Sequence, residues 1–183
     1  MTRPYVPLHL HTEYSLLDGA IRINKLCKFA VEKGFPAVAI TDHGVMYGDM
    51  ELYETAVNLK DATLKPLLGC EFYVHNGDIT ERDKMNNPCY HLVLIAKNKI
   101  GYQNIIRLTS VAWCKGRYVH PRISWELLQE HHEGLICLSA CLGGEVLQNI
   151  LKHEPEKARE VARRYKDLFG EDYYIELQDH GLE

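Results

Sequence analysis

No stretch of this sequence approaches the roughly 20 consecutive apolar residues that cross a bilayer. Its opening, Met1-Thr2-Arg3-Pro4, lacks the apolar core of a secretory signal. A cytoplasmic protein with no membrane partner is the resulting expectation. Six cysteines (Cys27, Cys70, Cys89, Cys114, Cys137 and Cys141) are scattered and never form a C-x-x-C pair. In a reducing compartment most of them read as small buried hydrophobes. Basic charge is also in short supply. Lys and Arg number 21 against 25 Asp and Glu, for a net charge of −4. That argues against strong, sequence-independent DNA binding by this stretch alone, which needs a basic face. There is no internal repeat, low-complexity tract or linker, so the 183 residues read as one domain with a real core.

Histidine is what the sequence has in excess, with ten residues, several at the ends of apolar runs. The densest stretch is Leu8-His9-Leu10-His11-Thr12-Glu13-Tyr14-Ser15-Leu16-Leu17-Asp18-Gly19. In a strand, residues i and i+2 point to one face, so His9 and His11 aim two imidazoles at one point. Asp18 can return to that point from the loop that follows. Imidazole with carboxylate suits Zn, Mn or Fe.

Apolar strands alternate with amphipathic helices along the chain, the signal of an α/β fold with a mainly parallel sheet or barrel. Strands are expected at Val6–His11, Ala37–Thr41, Pro66–Val74, His91–Ala96, Leu135–Ser139 and Tyr173–Gln178. Helices are expected at about Asn24–Lys33, Asp49–Lys60, Gly101–Trp113, Trp125–Glu130, Glu145–Lys152 and Pro155–Phe169. Ser124 is placed to cap the fourth helix and Pro155 to open the last.

Asp42-His43-Gly44 directly follows the second strand, at the edge where parallel α/β folds gather functional groups. Glu71 lies inside the apolar third strand, where a carboxylate is costly unless paired or bound to metal. His91 opens the fourth strand, and Cys141 follows the fifth, ahead of Gly143-Gly144. The segment 76–88 reads as a polar loop, and Lys115 to Arg122 as a basic and aromatic one, solvated or else in contact with DNA phosphates or a partner. His75, His120, His131, His132 and His153 read as solvated, and His180 has no assigned role.

Collected in order, these residues resemble the PHP (polymerase and histidinol phosphatase) family. The runs His9–Gly19, Thr41–Gly48, Lys65–Val74, His91–Asn104 and Gly134–Glu145 resemble, more narrowly, the PHP domain at the N-terminus of bacterial C-family replicative polymerases, the DNA polymerase III alpha subunits. The resemblance implies a distorted (β/α)7 TIM-like barrel, incomplete here because its last strand is missing. It implies up to three divalent metals, Zn, Mn or Fe. By similarity, His9 and His11 match the first ligand pair. Asp18 matches a ligand that many stand-alone members fill with His. His43 matches the second-motif histidine with Asp42 as its support, Glu71 the bridging carboxylate, and His91 and Cys141 the next two ligands. An Asp and a His one residue apart, which complete the family's set, have no counterpart.

The implied chemistry is metal-dependent phosphoester hydrolysis, assigned to Asp42, His43 and Glu71. Clustered divalent metals lower the pKa of a bound water to about 7 and neutralise phosphate charge. In a polymerase this would act on a DNA 3′ end as a 3′–5′ exonuclease. Polymerisation itself would reside in palm, thumb and fingers segments absent here. DNA, the sliding clamp and a proofreading exonuclease are the partners the resemblance implies. Two alternatives stay open: a free-standing phosphatase of the histidinol phosphate type, and a non-catalytic docking or stability domain.

Overall fold

The computed structural model describes residues 5–59, 63–82, 88–179 and 181. Helices, in order, are α1 (Ile23–Glu32), α2 (Asp49–Val57), α3 (Lys99–Cys114), α4 (Trp125–Glu130), α5 (Glu145–Leu151) and α6 (Pro155–Phe169). Strands are β1 (Ala37–Ile40), β2 (Lys65–His75), β3 (Cys89–Ala96), β4 (Arg117–Tyr118), β5 (His120–Ser124), β6 (Leu135–Leu138) and β7 (Tyr173–Tyr174). Local chemistry explains the boundaries. Ile23, Leu26, Cys27 and Ala30 recur at helical spacing and form the buried face of α1. The helix gives way at Gly34, whose φ of +69° suits glycine. Asn98 and Ser124 cap α3 and α4 by accepting from Gly101 N (3.0 Å) and Leu127 N (3.2 Å).

The long strand β2 is the axis of the sheet. One edge pairs antiparallel with β3, from Gly69↔Ile95 to His75↔Cys89. Its other edge is shared: β1 runs parallel to residues 65–68, a bridge joins His43 to Glu71, and β5 runs parallel to residues 73–75. Beyond β3 come β6, antiparallel, and β7, parallel to β6. Helices α3, α5 and α6 cover one large core around Phe72, Leu94, Leu108, Val161 and Phe169. Helices α1 and α2 cover a second one around Val38, Ile40 and Leu52. Ala39, Val93, Ile95 and Leu138 pack on the opposite, inner face. Both faces of the sheet are therefore buried, which is why β1 reads as a continuous apolar run.

A cleft of about 810 Å³ lies over the inner face of the sheet, floored by Leu67, Ile95 and Leu138. Tyr5, Leu8 and His9 line one side of that cleft, and Tyr174, Glu176 and Gln178 the other.

Several expectations change. The segment 6–11 is not a strand. Ala39 N bonds to Pro7 O and Thr41 N to Leu10 O, so three residues are spent against two. Pro7 has no N–H, and Leu10 N donates to the Thr41 hydroxyl instead of a carbonyl (3.0 Å), so no ladder closes. The sheet is mixed because β2 and β3 form a long antiparallel hairpin. Strand β7 stops at Tyr174, and 175–178 continue without a ladder. Helix α2 ends at Val57, and Lys60, its expected end, lies outside the described residues.

The expected solvated segment 115–122 folds as the β4–β5 hairpin, turning at Val119 with φ +63°. Its Arg122 is 1% exposed and donates to Gly116 O (3.0 Å), Ile79 O (2.6 Å) and Glu81 O (2.7 Å).

Candidate metal centre

All the candidate ligands gather at one end of the sheet. Strand β1 delivers His43, and β2 delivers Glu71 at its bridge to that residue. His91 lies near the start of its strand, and antiparallel pairing sets it opposite Tyr73 at the same end. Strand β6 is antiparallel to β3, so its C-terminal end carries Cys141 to this place as well. Gly143 allows the contact between that loop and His91, since a Cβ there would lie 2.9 Å from the imidazole.

Glu71, fully buried, is the hub. His9 Nε2 lies 3.3 Å and His91 Nδ1 2.9 Å from its Oε1. His43 Nδ1 lies 2.6 Å and His11 Nε2 3.5 Å from its Oε2. The His43 approach lacks hydrogen-bond alignment, leaving Oε2 buried with no hydrogen-bond partner among the described residues. Asp18 extends the cluster, its Oδ2 3.3 Å from His43 Nε2. Cys141 Sγ lies 3.5 Å from His91 Nδ1 and 3.8 Å from Glu71 Oε1. Three overlapping triads have ligand atoms within 4.8 Å of one another: His9–His11–Glu71, His11–Asp18–His43 and His43–Glu71–His91. An orphaned carboxylate oxygen ringed by imidazole nitrogens fits a divalent cation.

Electrostatics follow from this packing. Burial pushes the Glu71 carboxyl up, but the close imidazoles of His43, His9 and His91 outweigh it and hold the group well below the carboxylate range. Burial pulls His9 down, yet hydrogen bonds to Glu176 and Glu71 dominate and raise it to about 10. His91 is raised to about 10 against its own burial by Cys141 and Glu71. His11 is lowered by burial and by the charge of His43. Burial and the Glu71 charge push the Tyr73 hydroxyl up to about 12. Tyr73 therefore keeps its proton, with its oxygen 3.1 Å from His43 Nδ1.

Asp42 does not join the cluster. Its Oδ1 accepts from Thr12 N and Ser15 Oγ (both 2.6 Å), and its Oδ2 accepts from Thr12 Oγ1 (2.7 Å). It braces the turn that follows His11, and Ser15 Oγ in turn accepts from His43 N (3.1 Å). Both oxygens are thus engaged by this turn, which is the supporting part beside His43 that the resemblance implies for Asp42. Trp113 Nε1 donates to Gly44 O (2.7 Å) and anchors the turn after His43.

The composition of the sequence did not single out Ser15, Tyr73, Trp113 or Glu176. Two signals were available. Tyr73 is two residues from Glu71 and so on its face of the strand, and Glu176 is an acid in an apolar run, the test that singled out Glu71. His75, expected to be solvated, is buried with its Nδ1 3.1 Å from Pro88 O. His120 is exposed, and its ring stacks on Tyr73 at 4.4 Å. His180 lies outside the described residues.

The family model described as PHP domain matches residues 7–180. The chain belongs to the PHP family. As a PHP domain it resembles the N-terminal region of proteins named DNA polymerase III subunit alpha. It is 44% identical to that of Campylobacter jejuni over 97% of the chain. The figures are 44% over 98% for Deinococcus radiodurans and 41% over 100% for Aquifex aeolicus. The chain spans 15%, 14% and 16% of those relatives, respectively. A solved Bifidobacterium adolescentis structure, described as a candidate metal-dependent phosphoesterase, is 23% identical. It covers 60% of this chain and 34% of its own with a TM-score of 0.40, too loose a superposition to place individual residues.

Proposed function

We propose that this PHP domain is the N-terminal part of a replicative DNA polymerase III alpha subunit and carries a metal-dependent phosphoesterase site whose substrate is a DNA 3′ end. His9, His11, Asp18, His43, Glu71, His91 and Cys141 would hold up to three divalent ions, Zn, Mn or Fe. The observation that carries the reading is the buried Glu71 ringed by four imidazoles, with one carboxylate oxygen left without a hydrogen-bond partner among the described residues. The relatives' identity across nearly the whole chain supports the polymerase context over a free-standing phosphatase. In that context the sliding clamp and a proofreading exonuclease are partners of the whole cytoplasmic protein.

Bound divalent ions would supply charge neutralisation at the phosphate and a water of lowered pKa. The chain's own residues prepare that site. Asp42, through Thr12 and Ser15, fixes the turn between His11 and Asp18. Tyr73 and Trp113 fix His43 and the turn after it. His11, its pKa lowered, is a neutral donor at neutral pH. His9 and His91 carry protons that a cation would displace, so uptake releases protons.

The test is metal analysis of the intact protein, followed by release of nucleotides from 3′-labelled single-stranded DNA. Bound transition metal and cleavage abolished by Glu71→Gln are expected. Metal-free intact protein purified without chelator overturns the site. Metal without cleavage, or cleavage indifferent to Glu71→Gln, overturns the activity.

A further inference from the structure

His9 is held from behind by a carboxylate outside the ligand set. After β7 the chain runs extended past Ser139, which fixes its path. Ser139 N donates to Tyr174 O (3.0 Å), and Glu176 N donates to Ser139 Oγ (2.9 Å). This path sets the Glu176 side chain against the ring of His9. Glu176 Oε1 lies 2.7 Å from His9 Nδ1, while His9 Nε2 faces Glu71 Oε1 at 3.3 Å. The two nitrogens of one imidazole thus address two different acids. Gln178 Nε2 donates to the same Glu176 Oε1 (2.7 Å), steadying it. The Glu176 side chain is 13% exposed, and its other oxygen is buried without a hydrogen-bond partner among the described residues.

An imidazole ligates through one nitrogen only if its proton sits on the other, and the hydrogen bond made by that second nitrogen chooses the tautomer. We propose that Glu176 is a positioning residue of the metal centre: it accepts the Nδ1 proton of His9 and so presents the Nε2 lone pair to the cation shared with Glu71. The proposal rests on the reading that this cluster holds a divalent cation. Glu176 acts through His9 and not as a ligand in its own right. Its oxygen is spent on Nδ1, on the side of the ring away from Glu71. The arrangement also ties the segment before α1 to the segment after β7 at the metal centre.

The experiment is a Zn²⁺ affinity measurement by chelator competition on the intact protein. It compares wild type with Glu176→Ala, Glu176→Gln, His9→Ala and the double variant His9→Ala/Glu176→Ala, with metal-free melting curves for each. Glu176→Ala is expected to weaken binding roughly 10- to 100-fold. Glu176→Gln should weaken it less, since its amide oxygen still accepts from Nδ1 and its shape preserves the fold if the alanine variant melts early. In the His9→Ala background, Glu176→Ala should add nothing, because the group it positions is gone. Unchanged affinity in both single Glu176 variants, or a Glu176 effect of full size without His9, overturns the proposal. Wild-type protein that takes up no Zn²⁺ fails before any variant is compared, and overturns the metal reading and this inference with it.

Discussion

Replacing Asp49 with Asn should stabilise this protein at neutral pH. Asp49 opens α2, is 3% exposed, and has no hydrogen-bond partner for either oxygen among the described residues. Burial, and then the negative charge of Asp42, push its carboxyl up from 3.8 to about 8. The folded state therefore holds this proton more tightly than the unfolded chain does. Stability falls as pH climbs from about 4 towards 8. At about 1.4 kcal/mol per pH unit, the climb from 4 to 7 is worth up to about 4 kcal/mol. The positive end of α2 offsets about 1 kcal/mol of this, and an Asn amide left unpaired there costs about 1 kcal/mol more. Asp49→Asn should then gain about 2 kcal/mol at pH 7, a rise in Tm of about 4–8 °C for a chain of this size. Urea unfolding of both proteins at pH 4.5, 6, 7 and 8, followed by tryptophan fluorescence, reads the difference. The gain should grow with pH, cross zero near about pH 5 and turn into a small loss near pH 4, where only the cost of the Asn amide remains. A gain independent of pH, or a variant weaker than wild type at pH 7, would refute the electrostatic reasoning.

Three further outcomes follow from other parts of the molecule. In metal-free Asp49→Asn protein, the raised His9 and His91 contribute stability fully present below about pH 6.5 and lost as pH rises through about 10. The urea midpoint should drop across that window, and a flat profile would contradict the Glu71 pairing. Arg122→Met removes a buried guanidinium that serves three carbonyls and should cost about 3–5 kcal/mol, read by thermal melting. A loss under 1 kcal/mol would show that water replaces those bonds. Gly143→Ala places a methyl 2.9 Å from the His91 ring. It should weaken Zn²⁺ binding about tenfold through the shifted ligand while moving Tm little, and unchanged affinity would remove His91 from the centre.

The gathering of ligands was legible in the sequence because strand ends are. His43 and Cys141 follow apolar runs, and Glu71 interrupts one. His91 was hard to place because position within a strand says nothing about direction. The β2–β3 hairpin reverses β3, so the start of one strand meets the late part of its partner. The β4–β5 hairpin was hidden for another reason. Arg117, His120 and Arg122 read as a solvated surface by residue type, yet Arg122 is buried by bonds to carbonyls contributed by residues far away in the chain. The segment before His9 looked like a strand because its apolar pattern is one. Pro7 and the Thr41 hydroxyl, not the pattern, decide that its ladder stays open. Asp42 sat next to a ligand in sequence and so invited a chemical role. Its neighbours in space are Thr12 and Ser15, which no spacing rule selects.

Glu71, Glu176 and Asp49 are three of the acids held inside this molecule, and their surroundings separate them. Glu71 has four imidazoles within 3.5 Å, and those that hydrogen bond to it outweigh the cost of burial and keep it ionised. Glu176 has one imidazole and one amide, enough to fix its orientation and, through it, the ring of His9. Asp49 has no hydrogen-bonding neighbour among the described residues, and its pKa rises instead. A carboxylate surrounded by neutralisable nitrogens is a place where a dication can replace protons. A carboxylate without them takes up a proton of its own. The same physical cost of burying charge thus predicts opposite outcomes for substitution: loss of metal affinity at Glu71 and Glu176, and a gain of stability at Asp49.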